Sequence, residues 1–128
     1  MSFYISRSVP GTFESVMENI KEQLHSKDYL IAADIDVQGA LKQRLGAELQ
    51  QISIIGTNTP NVGLKLFNTD PKLGTLLPFS IVLNELNDGK VEVSMIDPEF
   101  LFQEIDNPGI TQLGVQVKSV FTGILNSL

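Results

Sequence analysis

Five apolar residues, Phe13, Val16, Met17, Ile20 and Leu24, recur at spacings of three and four, which predicts an amphipathic helix closed by Lys27-Asp28. Ahead of it FYISRS (3–8) predicts a short strand ended by Pro10-Gly11. YLIAADI (29–35) sets Tyr29, Ile31, Ala33 and Ile35 in alternation, the pattern of a half-buried strand. Asp36 is then placed to cap a short helix carrying Val37, Ala40, Leu41 and Leu45, with Gly46 as its stop. QQISII (50–55) predicts the third strand, and Thr59-Pro60 a helix start with the hydroxyl as cap and proline at the first helical position. Val62, Leu66 and Phe67 are the expected buried side of that helix.

Asp70-Pro71 repeats the device for a single turn holding Leu73, Leu76 and Leu77. PFSIVLNEL (78–86) and KVEVSMI (90–96) flank Asn87-Asp88-Gly89, and Asp-Gly between alternating strands is a strong hairpin signal. Asp97-Pro98 opens a helical turn over 99–105, and Asn107-Pro108 opens the last helix. There Ile110, Leu113, Val117, Val120, Phe121, Ile124, Leu125 and Leu128 keep one face apolar, enough to cover a sheet. Strand, helix, four strands and helix, with short helices inserted, predict an α+β fold: a curved antiparallel sheet of about five strands with helices on one face. The expectation is one domain over residues 1–128, a length that leaves no room for a second core.

Composition narrows the function classes. A net charge of −6 with nine scattered Lys and Arg argues against nucleic acid, whose backbone demands clustered cations. The absence of cysteine removes disulfides, thiol catalysis and Cys-based metal centres, and fits a reducing cytoplasm. No stretch reaches the roughly 18 apolar residues of a membrane span, and the first residues lack the pattern of a signal peptide.

Candidate chemistry is sparse. In Gly56 to Asn61, glycine allows close backbone approach, and helix-start N–H groups with the Asn58 and Thr59 side chains could hold a small polar or anionic ligand. A capped strand-to-helix turn explains the same residues. Phe79 would supply an apolar floor, so the candidate ligand set is Gly56, Asn58, Thr59, Asn61 and Phe79. Asp34 and Asp36 stand two apart on a strand and could, with Asp97, bind a divalent cation or work as acid and base. The competing account makes Asp36 and Asp97 helix caps. His25, the one histidine, has no nucleophile signature beside it, and no catalytic residue and no cofactor is assigned.

The run from Gly56 to Pro98 resembles the bacterial and archaeal domain-of-unknown-function family 302. The strand ending in Gly56, the Thr59-Pro60 helix start and the Asp70-Pro71…Gly74-Thr75…Leu77-Pro78 segment carry the likeness, with Gly89-Lys90-Val91 and Asp97-Pro98 completing it. The upstream helix and Ala33-Asp34-Ile35-Asp36-Val37 extend it over nearly the whole chain. The resemblance implies a TATA-binding-protein-like fold and a tendency to dimerise, with no assigned activity. Some members carry Cys near the positions of Asn58 and Phe79, so any thiol role there does not transfer to this chain. The expected function is a non-catalytic ligand-binding or homo-oligomeric interaction module, with a homodimer as the partner state. The alternative is a carboxylate and divalent-metal enzyme.

Overall fold

The computed structural model describes residues 2–128. Its elements run β1 (Tyr4–Pro10), α1 (Phe13–Ser26), β2 (Leu30–Asp36), α2 (Val37–Leu45), β3 (Ile52–Asn58) and α3 (Pro60–Thr69), then a 3-10 turn (Pro71–Leu76). β4 (Phe79–Glu85), β5 (Lys90–Ile96), α4 (Pro98–Phe102) and α5 (Pro108–Asn126) complete the chain. The five strands form one sheet in the order β1-β5-β4-β3-β2, every neighbouring pair antiparallel. This is the α+β arrangement expected, five strands included.

The first third of the chain supplies both edges of the sheet. α1 therefore has to cross from one edge to the other. Its 14 residues span about 21 Å at 1.5 Å per residue, and four strand spacings of about 4.8 Å come to about 19 Å. Val16, Ile20 and Leu24 are its buried stripe. Thr12 caps its start, the hydroxyl accepting the Ser15 N–H at 3.1 Å.

The core lies on one face of the sheet. Met95, Ile81 and Ile55 stand side by side on β5, β4 and β3, with Val93 and Leu83 one step along, all fully buried. Over them sit Ile110, Val117, Phe121 and Ile124 of α5, Phe102 of α4 and Leu66 of α3. Phe79 meets Phe102 at 6.0 Å and Phe121 edge-on at 5.7 Å between ring centres. Arg7 ties β1 to the end of α5, its guanidinium donating to the carbonyls of Leu125, Asn126 and Leu128 at 3.0, 3.1 and 3.3 Å. The first two are carbonyls that a helix leaves without partners at its last turn, and the third lies just past its cap.

The hairpin closes as its sequence dictates. Gly89 takes a φ of 77°, which glycine adopts without steric cost, and Asp88 accepts the Lys90 N–H. Three of the four cap-proline pairs work as expected. Asp70 accepts from Lys72, Asp97 from Glu99 and Phe100, and Asn107 from Gly109 and Ile110. Thr59 departs from that plan: its side chain makes no cap bond, although Pro60 does open α3.

Two burial expectations are corrected. Phe67 is 51% exposed, its ring lying over Gly74 rather than beneath α3. β2 is exposed along its length apart from a partly covered Ala33, because it is an edge strand and its register slips between Ile31 and Ala33. The slip sets Ile31 beside Thr57 on the helix-covered face and Ile35 beside Ile54 on the open face, so their common alternation is broken. Among the described residues, no helix is long and apolar enough to cross a membrane.

Candidate functional site

The stretch from Gly56 to Asn61 runs from the end of β3 into α3. Gly56 faces the uncovered side of the sheet, but that side is filled: an added Cβ would lie 2.6 Å from the Pro78 ring. Its glycine serves the packing of Pro78. Asn58 tucks against α3, its amide nitrogen 3.0 Å from where a Cβ on Gly63 would stand, and its Oδ1 is shut from solvent without a hydrogen-bond partner. Thr59 is half-buried and Asn61 exposed. Phe79 does not join them. It pairs with Thr57 on the helix-covered face and is wholly buried, so it cannot floor a site shared with Gly56.

The carboxylates are also kept apart. Asp34, on the helix-covered face, pairs with Lys21 of α1 at 2.6 Å. Asp36 caps α2 by accepting the Gly39 N–H at 2.9 Å. Asp97 is 2% exposed; Oδ1 caps α4 while Oδ2 lies 2.8 Å from Lys118 Nζ, which also reaches Glu99 at 3.3 Å. The hydrogen bond it donates to Asp97 holds the Lys118 ammonium above its ordinary range, Glu99 adding to the effect. No three His, Cys, Asp or Glu side chains converge as a metal-binding group among the described residues. The three aspartates thus hold secondary structure together. His25 is exposed in the last turn of α1.

The least expected feature runs from β2 through α2. From Leu30 to Gln50 no residue is buried. α2 has sound caps, Asp36 at its start and Gly46 in the left-handed conformation at its end. It also has an apolar stripe of Val37, Ala40, Leu41 and Leu45, yet none of the four is fully buried: Val37 and Leu41 are half-covered, Ala40 and Leu45 exposed. Leu45 is 75% exposed, Leu30 57% and Ile35 49%. The stripe was visible in the sequence, but periodicity alone does not say whether a stripe meets its own core or another molecule.

Comparison with known proteins agrees with this architecture. The model of the family described as domain of unknown function DUF302 matches residues 5–128. A crystal structure of an uncharacterized conserved DUF302 protein from Bacillus stearothermophilus is similar with a TM-score of 0.88 at 17% identity, covering 98% of each chain. That likeness concerns the fold. No curated protein matches the chain. A family match over almost the full length and a shared fold have one reading: the chain belongs to the DUF302 family, a domain of unknown function.

Proposed function

We propose that this domain is a non-catalytic interaction module whose partner is a second copy of itself, the two joined through the strip from Leu30 to Gln50. The observation that carries the reading is the exposure of that strip: a seven-residue strand and a capped nine-residue helix contribute no fully buried residue. Among the described residues, five of the ten exposed large hydrophobic ones, Leu30, Ile31, Ile35, Leu45 and Leu49, fall within it. A stable interface takes roughly 20–30 residues from each side, so the strip, whose side chains divide between two faces, forms the centre of the contact and neighbouring residues complete it.

Charge favours a second copy as the occupant. Three carboxylates (Asp34, Asp36, Glu48) against two cations (Lys42, Arg44) leave the strip at −1, while the chain carries −6. Two acidic copies meet at least electrostatic cost where each is nearly neutral. The slipped register of β2 disfavours sheet extension, so the contact is made by side-chain faces. The reading takes the protein to work in the cytoplasm, where a chain without cysteine loses nothing to a reducing environment.

Light scattering coupled to size exclusion at micromolar concentration should give about twice the 14.1 kDa chain mass. Ile35→Glu with Leu45→Glu should halve that mass and leave the circular dichroism unchanged, since both side chains are already exposed. A wild-type protein that stays monomeric at every accessible concentration, or a folded double variant that stays dimeric, removes the reading.

A further inference from the structure

The sheet's uncovered face holds a second feature at the opposite edge from the strip. A groove of about 500 Å³ lies across β1, β5 and β4, within the size range of small-molecule sites. Its shape follows from register. Ser6 pairs with Ser94 and Ser94 with Val82, while Tyr4 pairs with Ile96, so small side chains from two strands sit together in mid-sheet. Ser80, exposed on β4, extends that low floor. Phe3 and Tyr4 rise at the margin as an edge-on pair 4.9 Å between ring centres, with Phe100 6.4 Å beyond Phe3. The Phe3 carbonyl accepts the Asp97 N–H at 2.8 Å, which anchors the aromatic margin to the frame.

We propose that this groove is a binding site for a small organic ammonium ion with an aromatic or branched apolar body. The charged group in its lining is Glu92, half-buried and in no ion pair with any described residue. No Lys or Arg lines the groove, so a carboxylate or phosphate would meet repulsion there. The Phe3–Tyr4 margin lies beside Ile96, four residues along the strand from Glu92, so its rings receive the apolar body of the ligand while Glu92 receives the charge. The Ser6 and Ser94 hydroxyls, 3.0 Å apart, engage each other, and the Ser80 hydroxyl remains to bond a polar substituent. The ligand body then lies on Val82 and Ile96, its ammonium toward Glu92.

Phenethylammonium chloride is the probe, followed by amide shifts of the full chain. Saturable shifts at Tyr4, Ser6, Ser80 and Ser94 are expected at up to about 10 mM ligand, with 3-phenylpropionate at least about tenfold weaker. Glu92→Gln should weaken the ammonium probe by about tenfold while keeping a dispersed spectrum. Ser80→Leu, at an exposed position, fills the floor without changing charge and should abolish binding. The proposal is overturned by the absence of saturable shifts, by equal affinity for the anion, or by unchanged binding in folded Ser80→Leu. It is also overturned if the shifts follow protein concentration instead of probe, which would mean that a second copy covers this face.

Discussion

Replacing Asp97 with alanine removes two interactions made by one buried carboxylate. Oδ1 accepts the Glu99 N–H at 2.9 Å and the Phe100 N–H at 3.3 Å, and Oδ2 lies 2.8 Å from Lys118 Nζ. Loss of a helix cap costs about 1 kcal/mol, within a range of about 0.5–2. The ion pair adds less than the depth of Asp97 suggests. Lys118 keeps 31% of its side chain in solvent and retains Glu99, so its share is about 0.5–1 kcal/mol. Together the loss should be about 2 kcal/mol, which for a chain of 128 residues lowers Tm by about 6–10 °C.

Two further variants separate the parts. Asp97→Asn keeps an oxygen to cap α4 and should lose about half as much. Lys118→Met should cost at least as much as Asp97→Asn. It leaves a carboxylate 2% exposed without its cation, whereas Asp97→Asn leaves an ammonium free to turn to water. Urea unfolding followed by circular dichroism, with the double variant closing the cycle, should give a coupling of about 0.5–1 kcal/mol. An Asp97→Ala protein within about 0.3 kcal/mol of wild type, or an Asp97→Asn protein equally damaged, refutes the division of labour.

Gly56→Ala would set a methyl 2.6 Å from Pro78 Cγ and 3.3 Å from Ala33 Cβ. A proline ring cannot rotate aside, so urea unfolding should show a loss of about 1–3 kcal/mol; a neutral result would mean the strand yields freely. Burial pushes the Tyr29 phenol up to about 12 from its ordinary 10. The folded value is the higher one, so this stability is complete below pH 10 and falls as pH rises towards 12, by about 2–3 kcal/mol. Tyr29→Phe should flatten that decline in chemical-denaturation series at pH 9 to 12. Identical slopes in the two proteins would show that Tyr29 is not the group responsible.

Much of the frame can be read directly from local chemistry. Asp70, Asp97 and Asn107 each precede a proline, and each caps the turn that follows, because both the cap bond and the proline's fixed φ act within three residues. The β4–β5 hairpin follows from Asp88-Gly89 for the same reason. What escaped the sequence depends on partners far along the chain. Nothing near Ala32 marks the slipped register, so counting alternate residues put Ile31 and Ile35 on one face. Phe79 and Pro78 are neighbours in the chain, yet one ring enters the core and the other covers Gly56, since successive residues of a strand point opposite ways. Asp34 looked available as a ligand only until α1 brought Lys21 to it. The groove is assembled from single serines on three strands, and a lone serine in a strand carries no signal. The half-covered stripe of α2 is the hardest case: its sequence is that of any helix lying on a core.

The arrangement that sets β1 beside β5 bears on how the chain folds. Ser6 and Ser94 are 88 residues apart, and joining points that distant carries a closure entropy of about 4 kcal/mol beyond a constant. The β4–β5 hairpin has no comparable span to close, and β3 adds to it across a connection already shortened by α3. The first strand made is thus among the last to find its place, and it waits for a surface built from the second half of the chain. Contacts of this reach put the domain with mixed α/β proteins that fold more slowly than helical bundles of similar size. The tie from Arg7 to the end of α5 can form only once β1 has docked, so the last turn of α5 gains these three bonds in the same late step.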